Sequence, residues 1–153
     1  MTISHSTGLS NFGLDSGIGT AFDGGSGRLN IYTGAPPAAG AAVGGKASPA
    51  NEIATGTLLG TLNLSSDAFA AAANGAIALN AVTSDTSADA SGTAGYFVLY
   101  RSGDTALTSR ATATDRRLMG TVGTSGADMT IDNASILAGG TIALSGWSLN
   151  HAP

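Results

Sequence analysis

Cysteine is absent from this chain of 153 residues, which excludes disulfide frameworks and thiolate metal sites. Lysine occurs once, at Lys46, beside five arginines, and charged residues make up 10% of the chain. An ordinary soluble domain carries roughly 25%. The net charge is −4, whereas a grip on nucleic acid needs clustered Lys and Arg, so nucleic acid is not an expected partner. Arg116–Arg117 is the one basic pair and reads as a solvated strand end or a subunit contact rather than a phosphate site. No run approaches the ~18 uninterrupted apolar residues of a membrane-crossing helix, so no membrane partner is expected. Met1 to His5 lack a basic stretch leading into an apolar one, so no secretory signal is expected.

Groups for catalysis are equally sparse. The two histidines, His5 and His151, stand at opposite ends with no partner at metal-ligand spacing, and neither a His-based zinc site nor a catalytic role is expected. Glu52 is the only glutamate, which gives poor support to a glycosidase carboxylate pair. No Gly-x-Ser-x-Gly elbow occurs; Gly123-Thr124-Ser125-Gly126 comes nearest and reads as a turn between strands. Asp128 and Asp132, with Asn133 beside them, are four apart and share a face in a strand. They fit a calcium site less well than backbone capping, and Asp85 and Asp89 read the same way. The glycine runs 17–19 and 24–27 lack a following Lys-Ser/Thr and fit tight turns better than a phosphate cradle. Catalytic, cofactor-binding and metal-ligating residues are therefore all read as none.

What the chain does contain is glycine, 23 residues of it, among many Ala, Ser and Thr. Glycine loses the most backbone entropy on ordering, at about 1–2 kcal/mol per residue fixed. A chain so built is expected to need contacts along its whole length, some supplied by neighbouring subunits. At this size one domain is the simplest reading, with a thin core spread along strands because alanine supplies much of the hydrophobic fraction.

Period-2 alternation separated by Gly/Ser/Thr/Asp turns marks those strands. In residues 28–33, Leu29 and Ile31 share one face and Asn30 and Tyr32 the other. Leu58, Gly60, Leu62 and Leu64 share a face in the next run, and Ile77 and Leu79 in a third. Residues 96–100, including Phe97 and Leu99, are apolar on both faces and predict a central strand covered on two sides. Residues 117–122 and 129–131 follow. In the last run, 141–150, Ile142 and Leu144 alternate in one phase and Trp147 and Leu149 in the other. A β-bulge at or beside Gly146 would return all four to the core, with Trp147 as the largest anchor. The expected fold is all-β: a β-sandwich, jelly-roll or immunoglobulin-like, of about seven to eight short antiparallel strands. The core anchors are Leu29, Ile31, Leu62, Leu64, Phe97, Leu99, Ile142, Leu144, Trp147 and Leu149.

Residues 1–27 precede the sandwich domain, 28–153. Leu9, Phe12, Ile18 and Phe22 fall near helical spacing, but Gly13, Gly17 and Gly19 each cost about 1 kcal/mol in a helix; a short helix and an extended arm fit equally. Residues 35–56 form a long Ala/Gly/Pro-rich loop, of a length that is uncommon unless functional, and are expected to lie on another surface. A second loop is expected over 83–93. The tyrosines Tyr32, Tyr96 and Tyr100 suit a core or an interface, with sugar stacking the weaker reading.

Several runs, in this order, carry a family resemblance: Ser6-Thr7-Gly8-Leu9-Ser10-Asn11; Leu29-Asn30-Ile31-Tyr32-Thr33-Gly34-Ala35-Pro36-Pro37; Gly56-Thr57-Leu58-Leu59-Gly60-Thr61-Leu62; Ala94-Gly95-Tyr96-Phe97-Val98-Leu99-Tyr100; Gly120-Thr121-Val122-Gly123-Thr124-Ser125-Gly126-Ala127-Asp128-Met129; and the closing run from Ile142 to Leu149. Together they resemble a family of small structural proteins of tailed-bacteriophage virions, most of them uncharacterised. The chain departs from that pattern by extra length at 44–52 and a shorter stretch between Ala81 and Thr93. The resemblance implies a virion component, made in the bacterial host cytoplasm and without enzymatic residues. Its expected partners are the major capsid protein or other virion subunits, and copies of itself in a homo-oligomer. A capsid decoration or cement protein is the leading expectation, with a collar, neck or tail component next and a carbohydrate-binding or host-adhesion module third. The expected contacts are Ile3, Leu9 and Phe12 on the arm, with Tyr32, Pro36 and Pro37.

Overall fold

A computed structural model describes residues 6, 12–25, 27–40, 47–101, 104, 109–112, 114–144 and 146–150. The chain is all-β. In order, the strands are β1 (Gly27–Thr33), β2 (Leu58–Leu64), β3 (Ala76–Ala78), β4 (Val82–Thr83), β5 (Gly92–Arg101), β6 (Arg117–Gly123), β7 (Met129–Thr130), β8 (Ser135–Ile136) and β9 (Ser148–Asn150). The main sheet runs β4-β2-β1-β5-β6-β7, with β8 also paired to β5, and β3 and β9 make a separate two-stranded sheet. Nearly all pairings are antiparallel. The exception to the expected antiparallel scheme is β7, which lies parallel to β6 with Val122 opposite Met129, because residues 124–128 loop back before the chain resumes its direction.

Strong alternation builds the centre. Leu29, Ile31, Leu62, Leu64, Phe97 and Leu99 are buried on one face of the sheet; Tyr32, Tyr96 and Val98 are buried on the other. β5 is thus covered on both faces, as its unbroken apolar run predicts. The first face is closed by the small sheet and by irregular chain carrying Phe69, Ile77, Ile136, Ile142 and Trp147.

Two register slips sit opposite the end of β1. Tyr32 pairs with Leu58 while Ile31 pairs with Gly60, so Leu59 is the extra residue. This turns Leu58 to the tyrosine face, off the face it was expected to share with Gly60, Leu62 and Leu64, and lets Leu59 fill the core. On the other side Tyr32 pairs with Tyr96 and Thr33 with Ala94, which makes Gly95 the extra residue. A Cβ on Gly95 would run into the Gly34 carbonyl oxygen. Gly95→Ala should therefore cost about 1–3 kcal/mol, the range of an overpacked site. Gly17→Ala, helical and meeting nothing within 4 Å, should be neutral or stabilising. Thermal melts of the two variants check the contrast.

Ahead of β1, helix wins over extended arm for residues 12–21, widened to a π-helix over Leu14–Gly19. Burial of Leu14, Ala21 and Phe22, with Ile18 packed beside them, offsets the glycine cost. Asp15 and Asp23 pin the segment by accepting from the Ala72 and Ala68 amides at 2.6 and 3.0 Å.

The last run is not one bulged strand. Ile142 exchanges both backbone hydrogen bonds with Asp85, whereas residues 148–150 pair with β3. The phase change is absorbed where the chain leaves one partner for another, and Ile142, Leu144, Trp147 and Leu149 all still reach the core. The expected second loop is likewise bonded on both sides. Asp89 donates to the Leu59 carbonyl, Ala88 donates to Gly140 and accepts from Gly139, so residues 85–89 seal the outer edge of β2.

Candidate contact surface and its clefts

The second face of the main sheet carries a polar–aromatic network. Tyr32 stacks on Tyr96 at 5.2 Å and 15°. Between the hydroxyl-bearing side chains lies Asn30, 1% exposed. Its Nδ2 donates to the Tyr32 hydroxyl at 3.1 Å, and its Oδ1 accepts from Thr61 Oγ1 at 2.9 Å and from the Tyr100 hydroxyl at 3.5 Å. A buried carboxamide costs little once so partnered. Burial holds the Tyr32 phenol above its ordinary pKa, against the lowering effect of the Asn30 hydrogen bond, and burial does the same to Tyr100.

Parts of the loop expected to lie elsewhere roof this network. The Tyr96 hydroxyl accepts from the Thr55 and Gly56 amides at 3.0 and 3.1 Å, Ala54 packs on the aromatic cluster, and a 3₁₀ turn occupies Pro49–Asn51. Glu52 is gripped by Arg110 at 2.7 Å and accepts from the Gly40 amide, and the Ala111 amide donates to the Asn51 carbonyl. Two sequence-distant segments are thus tied to each other over the tyrosines. The Arg110 hydrogen bond holds the Glu52 carboxyl below its usual range.

Tyr32, expected as a contact point, is 4% exposed beneath that roof, so of the two readings given for the tyrosines, core or interface, it takes the core one in the described chain. Pro36 and Pro37 are half-buried, and Phe12 is 67% exposed. Ile3 and Leu9 lie outside the described residues, as do His5 and His151. Leu137, 71% exposed, and Ile53 are the other large apolar side chains open to solvent among the described residues. Neither breaks the pattern around it, so composition carried no signal for them.

Arg117 corrects the reading of a solvated basic pair: Arg116 is exposed, but the Arg117 side chain is 3% exposed and bound to Asp104, itself 4% exposed. The aspartates serve the backbone. Asp85 accepts from the Thr61 and Ser87 amides. Asp128 Oδ2 accepts from both the amide and the hydroxyl of Thr121 at 2.8 Å, and these bonds hold its pKa below the ordinary aspartate value. A lowered pKa gives stability that is present above the unfolded value of 3.8 and lost as pH falls through the folded one. Thr121→Val should raise the Asp128 pKa toward the ordinary value and shrink that acid-side loss; an NMR titration of the Asp128 carboxyl checks it. Among the described residues, no group of three or more His, Asp or Glu is placed to hold a metal.

Two of the clefts on the described surface bear on the aspartates. The smaller, about 210 Å³, is lined by Asp132, Asn133, Ile136, Thr141, Ile142 and Ala143. The larger, about 350 Å³, lies beside Asp128, with Phe97 and Trp147 at its base and residues of β6 and β9 on its sides. Two of its lining residues are joined directly, the Trp147 indole N–H donating to the Asp128 carbonyl at 2.7 Å. No protein-family model, curated protein or solved structure matches the chain.

Proposed function

We propose that the chain is a structural component of a bacteriophage virion that works by binding, most simply as a decoration protein on coat subunits. The observation that carries this reading is where the resembling runs fall. Four of them occupy β1, β2, β5 and β6 with their adjoining turns, four consecutive neighbours in one sheet. The runs thus make one contiguous scaffold rather than scattered short matches. Low charge suits the depleted core of a protein interface. The exposed Phe12, Ile53 and Leu137 and the half-buried Pro36 and Pro37 supply apolar contact points. The partnered carboxylates hold backbone amides and arginines, a use that supports scaffolding rather than chemistry. Modest contacts of this kind gain strength by engaging several subunits at once.

The test is a particle preparation containing an epitope-labelled copy of the chain, sedimented intact and imaged. Label on the particle surface in proportion to coat subunits is the expected result. Label confined to one vertex, at a copy number set by a cyclic ring, would move the protein to the neck or tail. Label left in the soluble fraction would end the virion reading.

A further inference from the structure

We propose that the cleft between β6 and β9 is a docking slot for an extended peptide strand from another protein, carrying an apolar side chain and a basic group. The slot's two walls are strand edges. The Thr121 amide points away from β5, since it donates to Asp128. Backbone direction repeats every second residue in an antiparallel ladder, so the N–H and C=O of Met119 also point outward, and no described residue partners them. On the facing wall, Leu79 donates to the Trp147 carbonyl, which turns Trp147 and Leu149 toward β3. By the same alternation Ser148 and Asn150 present their backbone groups away from β3.

Leu118, Met119, Ser148 and Asn150 all line the cleft. A strand laid between them would bond to both edges and join the main sheet to the small one, which is the geometry of strand addition. The opposite margin of the main sheet is treated differently. There residues 85–89 cover β2, as proteins ordinarily protect an edge. On the outer edge of β6, β7 covers Val122 and Gly123, Asp128 caps Thr121, and the stretch around Met119 is left open.

Side chains set the occupant's chemistry. Phe97 and Trp147 form an apolar floor, which suits one inward apolar side chain of the incoming strand. Among the described residues, Asp128 is the only charged one lining the cleft; the Thr121 hydrogen bonds favour its carboxylate form, and a Lys, Arg or free amino group complements it. This inference does not rest on the virion reading: a peptide slot would hold for any partner.

Trp147 is the chain's single tryptophan, so its fluorescence reports occupancy. The probe is a capped hexapeptide of alternating threonine and valine ending in lysine, titrated into the full chain. A saturable fluorescence change is expected. The same peptide with N-methylated backbone should not bind, and a version ending in glutamate should bind about threefold more weakly at low salt. Met119→Pro removes an outward N–H that the β5–β6 ladder does not use, so it should abolish binding with the β-type circular dichroism kept, while melting falls modestly because the Met119 side chain packs on the Tyr32–Tyr96–Val98 cluster; Met119→Ala, which loses that packing and keeps the N–H, should still bind. Ser148→Pro repeats the test on the other wall. Absence of any saturable change, or equal binding of the N-methylated peptide, would overturn the proposal. So would a dimer of the free chain that Met119→Pro dissociates, since a second copy would then fill the slot.

Discussion

Trp147→Ala is expected to destabilise the chain by about 3–5 kcal/mol, the range for truncating a buried large aromatic. The side chain is 8% exposed and joins three parts of the fold. Its ring meets Phe97 edge-on at 5.1 Å and leans on Phe69 at 6.4 Å, so it ties the main sheet to the hairpin that carries β3. Its N–H holds the turn between β6 and β7 through the Asp128 carbonyl. Native stability is commonly about 5–15 kcal/mol, so this loss is a large fraction of the total. At this chain length a kcal/mol moves Tm by about 2–4 °C, which places the expected drop at about 6–20 °C. Trp147→Phe keeps a ring in the seam and loses the hydrogen bond, so it should cost markedly less. Circular dichroism is the readout, because the variants lack the fluorophore. A Tm within about 2 °C of the parent would mean that the two layers hold together without this residue.

The central strands were legible because their pattern is redundant. In β1, Leu29 and Ile31 alternate with Asn30 and Tyr32, and β5 has no polar residue from Tyr96 to Tyr100; either sequence is hard to satisfy except as a strand between filled faces. The end of the chain was legible only in part. The opposed phases of Ile142/Leu144 and Trp147/Leu149 fit a bulge and a change of partner equally well, since period-2 spacing says which residues point inward and nothing about which strand lies beside them. Pairing direction is hidden for the same reason, and β7 lies parallel to β6. Asn74–Gly75 makes a tight turn with φ of +53° and +76°, a plain hairpin signal. Its arms are too short for their alternation to stand out. The helix over residues 12–21 ran against its glycines because tertiary burial outweighs propensity.

The contact surface was the least legible part. Tyrosines at positions 32, 96 and 100 advertise an interface or a core with equal force. What decides is whether chain from elsewhere covers them, and here it is the Glu52–Arg110 tie, 58 residues apart, that brings the roof into place. No local pattern encodes such a pair. The slot between β6 and β9 is more remote still, since it exists only where the edges of two sheets face each other.

Asp104→Ala carries the other large expected effect. Asp104 and Arg117 form a bidentate pair, Nε to Oδ2 at 3.0 Å and Nη2 to Oδ1 at 3.1 Å, with both side chains nearly sealed from water. Arg117 Nη2 also donates to the Ser109 carbonyl at 3.3 Å, and Asp115 stands 4.0 Å away. Nη1 is buried without a hydrogen-bond partner, so the guanidinium is already short of one contact. Removing Asp104 leaves a positive charge with Asp115 as its remaining ionic neighbour. Breaking a buried pair from one side costs about 3–5 kcal/mol, whereas replacing both members by apolar residues of similar size is often neutral or stabilising. The double variant Asp104→Leu/Arg117→Met should therefore recover most of what Asp104→Ala loses, as read by urea unfolding of all three proteins. Recovery would locate the cost in the uncompensated charge. If the double variant is as unstable as the single one, the pair instead fixes β6 in register with β5, where Arg117 stands opposite Tyr100, and its directional bonds outweigh the desolvation they oppose.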